Sequence, residues 1–450
     1  MTGTSNIDSD LLSDLHTPPY NAFHVCQLDI GSSNNVLRSH THAHSATDGY
    51  YEGRVTGGTI TRKLSTDGTL PSDQASILLQ DDASRTLEKL LYGTARSSVI
   101  GVGARVLLAS TERAASKWFT VFKGIIASFS SEGPRKWRFQ LKRDDRALRS
   151  LCKIPYIVDY DWPNALPSEI GKPAHVIYGT HSSVNTGESG MVRAFYVDTS
   201  NYRYVASYGI LESIDAVYID GTLKTLTTDY TVDLTYYHNG RYWSVITFTS
   251  DQGTTESANL CTFDCHGLTD SGEIKNIATQ IEHFLANFAL GNWGDNTSIR
   301  DSSWITPSSL DISTSHIDTV EQFFVDKQIA KAGRVISADR RALDVVQEAC
   351  NQGGIDIFYT YDGKIALSVD DHTITDHYIS APFFRQDRSP KRDSIKAISN
   401  SDLLLDEVST EYAFASASGK FARQLTVKDS SKGYGVTLSR PLHWRESDLS

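Results

Sequence analysis

Methionine is almost absent from this 450-residue sequence, with 2 in all, and the 5 cysteines are scattered at positions 26, 152, 261, 265 and 350. An odd cysteine set with no CxxC pair argues against a disulfide framework or a zinc module and points to folding in a reducing compartment. No apolar run is long enough to cross a bilayer, since the longest, Val99 to Leu108, is broken by Gly101, Gly103 and Arg105. Residues 1–20 carry neither a basic leader nor an apolar stretch, so no secretory signal is expected. Positive charge is also in deficit, with 43 Lys and Arg against 54 Asp and Glu for a net charge of −11. That balance disfavours a protein that grips nucleic acid, which supplies cations to neutralise phosphates.

What is present is a globular, strand-prone chain. Apolar residues make up 39% and charged residues 22%, a composition that can bury cores. The length suggests roughly two to four domains. Tyr (21), Phe (17) and Trp (7) are plentiful, and aromatic residues favour sheets over helix bundles.

From Tyr51 to Phe139 the chain reads as strands, with a turn at Asp67-Gly68 and a stop at Asp81-Asp82 after SILLQDD. A short helix follows, with Ser84 as a candidate N-cap and Leu87, Leu90 and Leu91 at helical spacing before Gly93. Then come ARVLLAS, WFTVFKGIIASFS and KWRFQLKRDD, in which Gly124 marks a bulge or close approach and Trp137, Phe139 and Leu141 alternate with polar neighbours. Four prolines between Pro155 and Pro173 suggest a linker or domain boundary. A second β-rich segment spans His175 to Leu268, with hairpin turns at Asp220-Gly221 and Asn239-Gly240. Ile274, Ile277, Ile281, Leu285 and Phe288 predict a helix that Gly291 ends, and the Ser/Thr/Asp-rich stretch 292–320 reads as a loop. Ala342, Val345, Val346 and Ala349 mark another helix before Gly353-Gly354, followed by a hairpin about Asp362-Gly363. Leu403 onward reads as two further strands, and no repeat of fixed period is visible.

Four constellations are candidates for chemistry. His40, His42 and His44 alternate in SHTHAHS and would share one face of a strand, a possible metal site if brought onto a symmetry axis; the alternative is a polar loop. Asp370, Asp371, His372, Asp376 and His377 could do acid–base or metal work in a pocket, or form a solvated loop. Cys261 and Cys265 beside His266 invite a metal reading, but Cys261, Phe263 and Cys265 fall on one strand face and suit a core. The Asp81-Asp82 and Asp144-Asp145 pairs suit turn or helix capping rather than a catalytic dyad. No Walker A, complete dinucleotide fingerprint or nucleophile elbow is present, so neither catalytic residues nor cofactors are expected.

In order, SILLQDDASRTLEKLL, ARVLLAS, WFTVFKGIIASF and WRFQLKRDDRAL resemble the first barrel-like domain of phage baseplate and tail-tip hub proteins, a fold shared with the spike-bearing hubs of type VI secretion. Phe122-Lys123-Gly124-Ile125 and Asp144-Asp145 with Leu148 fit that family pattern. RRALDVVQEACNQGG leading into IDIFYTYDGKIALSV resembles the helix and hairpin of the second barrel-like domain of long-tailed phage hubs, as do residues 400–412 and 430–435 its returning strands.

The fold class expected is therefore mainly β, a β-rich α+β protein with two barrel-like hub domains, an inserted β domain and a few helices. The expected domains are an N-terminal arm (1–44), a first barrel-like domain (45–154), an inserted β-rich domain (155–270), and helices with a second barrel-like domain (271–450). The resemblance implies a non-enzymatic virion protein at the tail tip, made in the bacterial host cytoplasm. It implies a homotrimer whose duplicated domains match the hexameric tail tube. The partners implied are the distal tail protein and tail tube, the tape measure protein and tail fibre or receptor-binding proteins. DNA would pass through without specific binding, and the acidic balance suits a lumen that repels it. The alternative is a receptor- or glycan-binding tip protein, motivated by Phe195, Tyr196, Tyr202, Tyr204, Tyr218, Tyr236, Tyr237, Tyr242 and Trp243.

Overall fold

The structure, a computed structural model, describes residues 22–30, 37–40, 44–46, 49–61, 73–93, 99–110, 118–186, 189–253, 260–269, 272–290, 312–327, 333–337, 339–360, 362–369, 407–415, 420–428 and 437–439. The fold is mainly β. It divides into two compact units, of which unit 1 comprises residues 1–149, 307–314 and 357–367 and unit 2 the remainder.

Unit 1 is built on a nine-stranded sheet that curls into a half-barrel. Its strands are β1 (Ala22–Leu28), β2 (Leu37–His40), β3 (His44–Ala46), β4 (Gly49–Gly53), β5 (Val55–Thr61), β6 (Gln74–Gln80), β7 (Gly103–Ser110), β8 (Phe119–Gly133) and β9 (Lys136–Lys142). They lie in the order β3-β4-β2-β1-β7-β8-β9-β6-β5. Alternation sets which face is buried: Ala75, Ile77 and Leu79 of β6 and Trp137, Phe139 and Leu141 of β9 point into one core, with Ile77 opposite Phe139 and Leu79 opposite Trp137. Helix α1 (Thr86–Gly93) adds Leu87 and Leu91 to it. The helix is not capped by Ser84, which is exposed; the buried Asp81 carboxylate accepts the Leu87 and Glu88 N–H groups at 2.9 and 2.8 Å. Arg54 reaches Asp81 and Asp82 at 3.3 and 2.9 Å and fixes that corner.

The family-like motif around Phe122 has a local physical cause. Phe122 is fully buried, and Ile125 lies in the interior. Gly124 sits where β8 crosses β9 so closely that an added Cβ would lie 2.1 Å from the Lys142 carbonyl oxygen. Just beyond β9, the Asp144-Asp145 pair opens the short helix α2 (Arg146–Arg149), whose Leu148 is buried.

Unit 2 contains β10 (Val176–Tyr178), β11 (Thr180–His181), α3 (Ser183–Thr186), β12 (Val192–Arg193), β13 (Phe195–Asp198), β14 (Arg203–Tyr208), β15 (Leu211–Ile219), β16 (Thr222–Leu223), β17 (Tyr230–His238), β18 (Arg241–Phe248) and β19 (Cys261–Leu268). One sheet runs β11-β19-β15-β16, with β12 also on β19, and another β13-β14-β18-β17. Asp220 and Gly221 have φ of 49° and 79°, and Asn239 and Gly240 48° and 78°, the left-handed pairs that a type I′ hairpin demands. The proline-rich stretch is a run of turns that buries Ile157 and Trp162 within this unit. Helix α4 (Ile277–Phe284) starts from Asn276, whose side chain accepts the Ala278 N–H, and continues as a π-helical turn over Leu285–Ala289.

The stretch read as a loop contains a helix, α5 (Thr314–Asp326), which buries Ile317, Val320 and Phe324. Ser, Thr, His and Asp are weak helix formers, and the i, i+3, i+7 apolar stripe outweighs them once it is packed. Strand β20 (Arg334–Ile336) pairs with β10, and α6 (Ala342–Gly353) ends at Gly354 in the left-handed region with φ of 61°.

The chain then forms the hairpin β21 (Ile355–Tyr359) and β22 (Ile365–Val369), whose residues 357–367 belong to unit 1. There, Arg143 donates to the carbonyls of Lys123 (2.8 Å) and Thr360 (3.0 Å), pairs with Asp73 at 3.2 Å, and lies 4.7 Å from the centre of the Phe122 ring. Ser313 N–H donates to Ile365 O at 2.8 Å, so residues 307–314 join the same unit. Strands β23 (Glu407–Ala415), β24 (Lys420–Lys428) and β25 (Thr437–Ser439) form a separate three-stranded sheet in the order β24-β23-β25.

Two substitutions test this construction. Gly124→Ala is expected to lower unfolding free energy by about 3 kcal/mol, because the Lys142 backbone must shift, as measured by urea denaturation. Arg143→Met strands the buried Asp73 carboxylate and is expected to cost about 3–5 kcal/mol, with protease cleavage in 355–369 rising as the turn is released.

Candidate functional site

The sequence candidates do not converge on one place. His40 is the last residue of β2 and His44 the first of β3, whereas His42 lies outside the described residues, as do Asp370, Asp371, His372, Asp376 and His377. All five cysteines are free and buried. Burial pushes the Cys26 and Cys350 thiols up to about 12 and raises that of Cys261, which removes the thiolate needed for nucleophilic or metal chemistry. Among the described residues no group of three or more His, Cys, Asp or Glu side chains is arranged to hold a metal ion.

Cys261, Phe263 and Cys265 are core residues, as their shared strand face suggests, but Thr262 and Asp264 between them are buried too. Strand β19 is covered on both faces, so its polar residues need internal partners. Asp264 accepts from Ser183 Oγ at 2.5 Å and from the Met191 N–H at 3.2 Å, with the Tyr218 hydroxyl at 3.5 Å. Burial outweighs these hydrogen bonds and raises the Asp264 carboxyl above its ordinary range.

His266, next along β19, sits between two carboxylates, with Nδ1 at 2.7 Å from Glu273 and Nε2 at 3.3 Å from Asp215. Thr180 Oγ1 donates to Glu273 at 2.9 Å, and Lys275 Nζ lies 2.6 Å from the same carboxylate. Burial works against ionisation of Glu273, but the hydrogen bonds from Lys275, His266 and Thr180 prevail and hold its carboxyl below the usual range. Thr180 Oγ1, which gives its proton to Glu273, also lies 3.1 Å from the imidazole nitrogen that Glu273 meets at 2.7 Å. The cluster ties β11, β15 and β19 to the chain leading into α4. Only His266 stood out in the sequence; Glu273 and Lys275 carry no motif.

A third cluster lies between α4 and α5. Glu282 is half-buried, and burial together with the nearby Asp318 and Glu321 pushes its carboxyl up to about 7. Asn276 Nδ2 donates to Glu321 O at 3.1 Å and holds the two helices together there. Deeper in unit 2, the buried His283 is pushed down to about 3 by desolvation and shares a 2.8 Å hydrogen bond with the Tyr178 hydroxyl.

Four of the nine aromatic residues considered for glycan binding are core residues. Phe195, Tyr196, Tyr204 and Trp243 are buried, and Tyr196 stacks on Tyr204 with centroids 4.3 Å apart. Tyr202, Tyr218, Tyr236 and Tyr242 are partly covered, and Tyr237 is exposed. Arg203 lies 4.4 Å from the centre of the Tyr236 ring and occupies one approach to it.

No protein-family model matches the sequence, and no curated protein matches it. Solved structures similar in part include the following two. A chain of the virion of a native gene transfer agent particle aligns at 10% identity and a TM-score of 0.27, covering 58% of this chain and 85% of that one. A 43 kDa tail protein of prophage MuSo2 from Shewanella oneidensis aligns at 8% identity and a TM-score of 0.31, covering 95% of this chain and 74% of that one. Both scores are too low to establish a shared fold.

Glu282 gives a pH test. Its folded-state pKa near 7 lies above the unfolded value of about 4.3, so its contribution to stability is fully present below that unfolded value and is lost as pH rises to about 7. Glu282→Gln is expected to raise the melting temperature at pH 8 and leave it nearly unchanged at pH 4, by calorimetry on both proteins.

Proposed function

We propose that this chain is a structural, non-enzymatic subunit of a phage-type tail, and within it the hub of the tail tip. The observation that carries this reading is the coincidence of pattern and construction in unit 1. The strands of the hub-like segments, β6, β7, β8 and β9, are neighbours in one curled sheet in the order β7-β8-β9-β6, and residues of the pattern are ones this sheet requires. Phe122 fills the core, Gly124 permits the crossing and Leu148 anchors the exit. The Asp264 and His266 clusters of unit 2 fit a non-enzymatic role, because their groups bond to one another.

In this reading the chain is a homotrimer with barrel-like domains at 45–154 and 271–450 and an inserted domain at 155–270, except that β1 and β2, within the expected arm at 1–44, are strands of the unit 1 sheet and residues 307–314 and 357–367 belong to unit 1. Two similar domains in three copies present six similar surfaces, so a threefold tip can meet a hexameric tube. The neighbours are the distal tail protein, the tail tube, the tape measure protein and the fibre or receptor-binding proteins. The net charge of −11 suits a conduit through which DNA slides. Receptor or glycan binding by the inserted domain is the weaker reading, since much of its aromatic set is core.

Light scattering on the purified full chain is expected to give a three-subunit mass, and gold-labelled antibody against it is expected to mark the tip of intact particles. A monomer at all concentrations, together with label on the head or along the tube, would sink the hub reading.

A further inference from the structure

Strand β5 ends the nine-stranded order, hydrogen-bonded to β6 on one side and to no described strand on the other. A free edge is a template for another strand, and proteins usually blunt such edges with charge, proline, bulges or brevity. The sheet's other end, β3, is three residues long. In unit 2 the terminal strand β17 carries Asp233 and a register shift between Asp233 and Tyr236. Strand β5, VTGGTIT, has no charge and no proline over seven residues, and its one register shift lies at its start, between Val55 and Gly57.

Beside this strand is a cavity of about 470 Å³, lined by Val25, Cys26, Val55, Ile60, Ile77 and Val106 among others. Among the described residues, His24 is the sole titratable side chain on its wall besides the buried Cys26 thiol, and no described carboxylate, lysine or arginine lines it. An occupant with charged side chains would find no counter-ion there. Gly57, also on the wall, has open space where a Cβ would stand.

We propose that β5 is an acceptor edge, to which an extended, uncharged segment of a partner chain adds as a strand, laying alternate side chains into the cavity. Main-chain hydrogen bonds supply the affinity and the apolar wall selects the side chains. The proposal concerns unit 1 alone and does not depend on the hub reading.

The test uses the full chain and a fluorescein-labelled peptide of alternating threonine and valine with two terminal lysines for solubility. Saturable binding is expected by anisotropy, with slowed amide hydrogen exchange over residues 55–61. A proline at the peptide's central valine, or Gly57→Trp in the protein, is expected to weaken binding about tenfold or more. Gly57→Leu serves in the same way should the tryptophan variant melt early. No saturable binding, binding that leaves exchange over 55–61 unchanged, or equal binding by the Gly57 variants would overturn the proposal. Competition by decanoate with no peptide-dependent protection would also overturn it, and would make the cavity a site for small apolar molecules.

Discussion

Unit 1 depends on one buried cation. Arg143 stands at the end of β9, where the last rung of the sheet passes into the Asp144-Asp145 turn, and its guanidinium serves three separate stretches of chain. It neutralises Asp73 ahead of β6 and donates to the carbonyls of Lys123 and Thr360. A lysine could not do this, because a single ammonium lacks the planar fork that reaches several acceptors at once. Phe122 stacks against the cation from the core side, so the residue that fills the half-barrel also shields its clasp.

Unit 2 meets a different constraint. Strand β19 is covered on both faces, yet Thr262 and Asp264 are polar. Each therefore draws in a loop: Thr262 Oγ1 donates to Ser189 O at 2.8 Å, and Asp264 takes Ser183 and the Met191 amide. His266 then joins the sheet to the start of α4 through Glu273. Polar residues that in another setting would suggest chemistry here fix the path of the connections.

The sequence disclosed what local physics decides. Asp220-Gly221 and Asn239-Gly240 adopt left-handed turns because few other residue pairs do so cheaply, and α6 stops at Gly354 for the same reason. Alternation along β9 identified its buried face. Partnerships across sequence were illegible. Nothing near Ser84 says that the cap comes from Asp81, whose position is set by Arg54. Helix α5 is hidden by its poor helix formers, and Glu273 becomes notable only when folding brings it to His266. The candidate metal histidines show the converse: period-two spacing promised one strand face, but His40 and His44 belong to different strands, β2 and β3.

The bond from Arg143 to Thr360 spans 217 residues, and that distance also measures time. At ribosomal speeds of about 5–20 residues per second, roughly 10–40 s separate the emergence of its two ends. At the start of that interval the core residues Cys26 to Leu141 of the half-barrel have been made, with Asp73 and Arg143, and the turn that completes the clasp has not. The intervening residues must fold without trapping it. A chain laid out in this way can close the clasp of unit 1 only after the residues between Arg143 and Thr360 have been made.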